Sequence, residues 1–80
     1  MLVKVEDLRE GMAFDAMPAV IAGGYDDGYE DEQGIIAAAE CLYFEVEAVD
    51  TSMNDGSVLV WAYPHNVLTK MGVEVEAIEV

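Results

Sequence analysis

Basic residues are almost missing from this chain. Lys4, Arg9 and Lys70 are the whole set, so positions 10–69 contain neither lysine nor arginine. There is no basic patch and no glycine-rich phosphate loop carrying a lysine, which excludes direct nucleic-acid binding. Strong negative charge also repels anionic membranes. Cysteine is nearly absent too: Cys41 stands alone, which excludes an intramolecular disulfide and a cysteine-rich zinc site and fits a reducing compartment. No apolar run approaches the roughly 18 residues of a membrane span. The opening MLVKVEDLREG turns charged within its first residues and has no apolar signal core, so a cytoplasmic protein is expected.

What is present is acid on an apolar body. Apolar residues make up 54% of the 80 residues and mean hydropathy is +0.23, which is not the composition of a disordered acidic tail. The formal net charge is −14, beyond the modest surplus that serves solubility. Residues 1–80 are expected to form a single acidic domain with a small core. The densest acid lies in Gly23–Gly34, GGYDDGYEDEQG, which reads as an acidic loop between strands.

Along the chain, Leu2–Glu6 alternates as a short strand with Val3 and Val5 on one face. Asp7 is placed to cap a helical turn ended by Gly11, with Leu8 tucked beneath it as a plug. Met12–Phe14 reads as a second strand. The pattern V-x-V-x-D-L-x-x-G-M, carried by Val3, Val5, Asp7, Leu8, Gly11 and Met12, resembles the opening of small SH3-like β-barrel modules, short phage-encoded proteins among them. That resemblance implies about five short strands. The expected class is therefore mostly β: a small antiparallel SH3-like barrel or curled sheet with at most one short helix. Pro18 suits a strand start or edge, and Ala19–Ala22 reads as a brief strand. Gly34–Cys41 fits helix or strand, with helix preferred for its three alanines.

Leu42–Val49 alternates most clearly, with Leu42, Phe44, Val46 and Ala48 on one face. The cluster Asp50–Gly56 turns it into Ser57–Tyr63, giving an antiparallel hairpin. One register leaves Leu59, Trp61 and Tyr63 on the outer face beside Tyr43, Glu45 and Glu47. A one-residue slip puts Trp61 and Tyr63 in the core. The need of a small domain for large interior side chains favours the second. His65–Gly72 reads as a connection with room for one helical turn, and Val73–Val80 as a last strand with a bulge or edge at Ala77-Ile78.

Catalysis finds little support. Clustered carboxylates in a solvated glycine-rich segment all stay ionised, whereas acid-base pairs need environments that separate their pKa values. Cys41 lies in an apolar context where a thiol packs and is inert, and His65 follows a proline in a turn. Neither acidic turn fits a calcium loop: the glycine of Asp50–Gly56 falls seventh and Trp61 stands where the bidentate acid belongs. A non-enzymatic protein without cofactor or dedicated metal is expected.

The charge itself is left. Fourteen net charges match those of roughly 24 Å of duplex DNA. In size, charge and layout the chain resembles small acidic nucleic-acid-mimic inhibitors, among them phage inhibitors of uracil-DNA glycosylase and of restriction or CRISPR effectors. The resemblance implies a protein-interaction module that occupies the basic groove of a nucleic-acid-binding host protein. Asp26, Asp27, Glu30, Asp31, Glu32, Glu45 and Glu47 are the expected charge contacts, with Tyr25 and Tyr29 as aromatic anchors. The alternative is a structural or assembly module, a homo-oligomer formed through apolar edge strands with the acids serving solubility.

Overall fold

The computed structural model describes residues 1–23 and 32–80. Strand β1 (Leu2–Lys4) leads into a 3₁₀ turn (Val5–Asp7), then β2 (Met12–Phe14) and helix α1 (Met17–Gly23). Helix α2 (Glu32–Cys41) precedes β3 (Phe44–Asp50), β4 (Ser57–Tyr63), β5 (Val67–Lys70) and β6 (Glu74–Glu79). All strand pairs are antiparallel, in one open sheet of order β1-β6-β2-β3-β4-β5. The mostly β class and curled sheet expected above are found, with six strands where about five were implied and two short helices where at most one was expected. Helix α1 packs against β5, near one end of the sheet, and against β6, near the other. The sheet therefore curls around α1, and its open side is filled by helix instead of by a closing strand pair.

The strand expected at Ala19–Ala22 is the body of α1. Asp15 Oδ1 accepts the Met17 N–H at 3.1 Å, and the Val20 N–H reaches Ala16 O at 2.9 Å. Pro18 thus sits in a first helical turn, where a missing N–H costs nothing. The next two residues, Ala19 and Val20, are fully buried. The helix preferred for Gly34–Cys41 is found but begins earlier, at Glu32, within the expected acidic loop, and Ile35 and Ala39 are one turn apart and buried.

At the start of the chain, Leu8 is buried as the expected plug. Asp7, however, lies inside the 3₁₀ turn, where Lys4 holds the cap position and no side-chain cap bond forms. Gly11 adopts φ +93°, a left-handed conformation that favours glycine, and lets its carbonyl accept the Val80 N–H at 2.8 Å. Residues 67–70, expected in a connection, are strand β5: Val67 and Thr69 point inward and are buried, and Leu68 and Lys70 alternate with them. Asn66 Oδ1 closes the β4–β5 turn by accepting the Ala62 N–H at 3.1 Å. Strand β6 shows no bulge at Ala77-Ile78; it pairs in regular register with β1 and β2 and lies inside the sheet.

The core is apolar and tightly specified. Phe14 and Phe44 are direct cross-strand partners, their rings edge-to-face at 6.1 Å between centroids. Val58, Val60 and Val75 surround them, fully buried. Thr69 is the only buried polar side chain among the described residues, and its hydroxyl has no hydrogen-bond partner. Trp61 and Tyr63 are not in this core: they are 46% and 67% exposed. Two phenylalanines and a set of valines already fill the space, so the register that hides the larger rings has no room to offer.

Candidate functional site

A β-bulge decides what the outer face of the sheet displays. Val46 pairs with Ala62, and the next ladder pair is Ala48 with Trp61, so Glu47 is an extra residue on β3. Beyond it Val49 pairs with Val60 and returns to the inner side, partly buried. The bulge turns Ala48 outward, against the expected alternation, and exposes Glu45, Glu47 and Ala48 together. Their neighbours across the ladder are Tyr63, directly opposite Glu45, and Trp61, opposite Ala48.

The same row continues over the sheet. Glu45 pairs with Ala13 on its other side, and Ala13 with Ile78, so Ile78, Ala13, Glu45 and Tyr63 lie in line across four strands. At the usual inter-strand spacing that line is about 14 Å long. Ile78 is exposed at its far end, and Tyr43 is exposed just before β3. The result is a line of exposed aromatic, apolar and acidic side chains, interrupted at Ala13, which is buried between them.

Cations are distributed unevenly. The Met1 ammonium meets Glu76 at 2.7 Å, Arg9 reaches Glu79 at 3.7 Å, and Lys4 stands directly opposite Glu74. These three serve the β1–β6 side. Lys70 stands opposite Ser57, at the far end of β4, and helps the Ser57 hydroxyl and amide hold the Asp55 carboxyl below its ordinary value. Glu45 and Glu47 have no ion pair among the described residues. The acids of β6 therefore share their side of the sheet with cations, and the acids of β3 do not.

Of the expected contact residues, Glu45 and Glu47 are thus placed on one exposed, bulged strand. Glu32 opens α2. Tyr25, Asp26, Asp27, Tyr29, Glu30 and Asp31 lie outside the described residues. Trp61 and Tyr63 complete the face and were not among the expected contacts. The signal for them was the spacing V-E-A-V: Val46 and Val49 cannot share the inner side of a regular strand without an extra residue between them.

Other constellations are less developed. Two further carboxylates are held low, Asp50 within its own turn by the Ser52 hydroxyl at 2.6 Å and amide at 2.9 Å, and Glu6 across the fold, chiefly by the Gly72 N–H at 2.9 Å. A recess of about 170 Å³ is lined by Asp15, Ala39, Glu40, Cys41, Leu42 and Tyr43, smaller than the clefts that usually hold small ligands. Cys41 is exposed there, at the end of α2, and not packed as its neighbours suggested. No three His, Cys, Asp or Glu side chains among the described residues are placed to hold a metal. His65 sits in the β4–β5 turn with its ring 6.2 Å from that of Phe44. No helix among the described residues is long and apolar enough to cross a membrane.

No family model, no curated protein and no solved structure matches this chain.

Proposed function

We propose that this protein is a non-enzymatic, cytoplasmic interaction module that docks on the basic groove of a nucleic-acid-binding protein and excludes nucleic acid from it. The observation that carries this reading is the uncompensated acid of β3: Glu45 and Glu47, fixed on a strand beside exposed Trp61 and Tyr63, with every cation elsewhere. Overall charge density supports it. The body measures 31 × 28 × 18 Å, so 14 net charges along its longest axis give about 2.2 Å for each. Duplex DNA carries one per roughly 1.7 Å. Such a field steers a basic partner toward the acidic side and repels nucleic acid from it.

The competing reading, assembly through apolar edge strands, has less to build on. Edge β1 is three residues long and ends in Lys4, features that discourage strand addition.

The test is affinity capture on the immobilised full chain from a host lysate, followed by two separate elutions. The expected captured protein binds nucleic acid, leaves the column between low and moderate salt, and is displaced by free duplex DNA. Glu45→Gln with Glu47→Gln is expected to lower its retention. Retention that neither salt nor duplex disturbs would rule out mimicry.

A further inference from the structure

We infer that the outer face of the β3–β4 hairpin recognises arginine side chains: the guanidinium stacks on Trp61 or Tyr63 while Glu45 and Glu47 accept its N–H groups. This deepens the proposed function and rests on its premise that the partner is a basic protein.

The local structure supplies both halves of such a site. Trp61 and Tyr63 are two residues apart on one strand, so both project outward about 7 Å apart. Glu45 faces Tyr63 across the ladder, with Cβ atoms about 5 Å apart in that geometry. Ala48, opposite Trp61, offers only a methyl group, so one flank of the indole stays open. A cation stacked on either ring is within reach of a carboxylate.

No cation of the chain occupies this place. Met1, Lys4 and Arg9 lie at the β1–β6 side, about three strand spacings from β4. Lys70 pairs with Ser57, four residues along β4 from Trp61, about 13 Å away. Charge complementarity then decides the occupant. A second copy brings the same acids against themselves, since a two-fold interface sets each patch against its own kind. A neutral apolar segment covers the carboxylates without pairing them, which is costly. A cationic segment satisfies ring and carboxylate together. Arginine does this better than lysine because its flat guanidinium stacks on a ring and presents a fork of donors to a carboxylate at the same time.

The test titrates the full chain with two glycine-spaced peptides of equal charge, one bearing arginines and one lysines, at one moderate salt concentration. Heat of binding gives affinity, and the single tryptophan of the chain reports on the site. The arginine peptide is expected to bind about two- to fivefold more tightly and to change Trp61 emission. Trp61→Leu and Glu45→Gln are each expected to bring that ratio towards one while the urea midpoint stays put. Equal affinity for both peptides in the unaltered chain overturns the inference, as does a preference that survives in both variants. So does a sedimenting dimer that Trp61→Leu dissolves, which assigns the face to a second copy. Equal peptide affinities with duplex-sensitive capture sink the arginine site alone. Arginine preference with duplex-insensitive capture sinks the mimic reading alone.

Discussion

On the inner face of the sheet the rings are phenylalanines; on the outer face each ring carries a polar atom. Phe14 and Phe44 meet edge-to-face at full burial, while Trp61 and Tyr63 stand about half and two thirds exposed, on the strand paired with that of Phe44. The difference teaches how a small domain divides its labour. The inner rings have no polar group to satisfy and can be sealed. An indole N–H or a phenol O–H needs a partner when buried, and the inner face, lined mainly by valine and alanine, holds the Thr69 hydroxyl as its one buried polar side chain among the described residues. Sealed rings hold the fold, and the outer rings are left free to bind.

The comparison breaks most directly at Phe44. Phe44→Ala is expected to cost about 3–5 kcal/mol, enough to unfold much of so small a domain at room temperature. Trp61→Ala, a larger truncation on the same sheet, is expected to cost under about 1 kcal/mol. Urea unfolding followed by far-ultraviolet circular dichroism measures both. Similar losses from the two variants would mean that the outer ring is structural after all.

The sequence made one side of this division readable and obscured the other. Alternation of Phe44 and Val46, and of Val58, Val60 and Ala62, exposed the hairpin and its inner side directly. The helix at Gly34–Cys41 was legible from its alanines. Helix α1 was not, because a run of seven residues as apolar as MPAVIAG fits strand or helix equally; the deciding signal was Asp15 placed ahead of Pro18, a helix-start pattern and not a strand edge. Strand β5 was hidden by its length of four residues, too short for period alone to betray it. The outer face was misjudged for an energetic reason. Burying the largest rings is a sound expectation for a small core, but it assumes that the core has vacancies, and the valines leave none. Cation placement was the other blind spot: pairing of Met1 with Glu76 joins residues at opposite ends of the chain, and no local pattern announces it.

The bulge sharpens the comparison because it adds Glu47 to the outward acid that ordinary alternation already supplies in Glu45. Deleting Glu47 leaves Val46 opposite Ala62 and Val49 opposite Val60, with Ala48 following Val46 in ordinary alternation. The fold is expected to survive with a change of about 1 kcal/mol or less. Deleting Glu45, two residues earlier and chemically identical, reverses the face of Phe44 relative to Val46. That deletion is expected to cost about 3 kcal/mol. The pair removes the same charge, so their difference in urea midpoint isolates register from electrostatics. Equal midpoints would show that Glu47 is not the extra residue.

The smallest expected effect lies where the two ends of the curled sheet are stitched together. Glu6, in the 3₁₀ turn after β1, accepts the Gly72 N–H from the β5–β6 turn at 2.9 Å. That bond holds its carboxyl below the ordinary value of 4.5, with Lys4 adding a little in the same direction. A carboxyl lowered on folding takes up its proton in the unfolded chain first. Its contribution is therefore complete above pH 4.5 and is lost as pH falls through the lower folded value. Glu6→Gln keeps an acceptor oxygen for Gly72 but cannot ionise. The variant is expected to be slightly less stable than the unaltered chain at neutral pH, with the gap closing on acidification. Asp50→Asn and Asp55→Asn, whose carboxyls are also held low by their own turns, should close over the same acid range without involving this seam. Urea midpoints taken from neutral to about pH 3 supply the curve, and a gap that stays constant throughout would show that the Glu6 bond to Gly72 owes nothing to its charge.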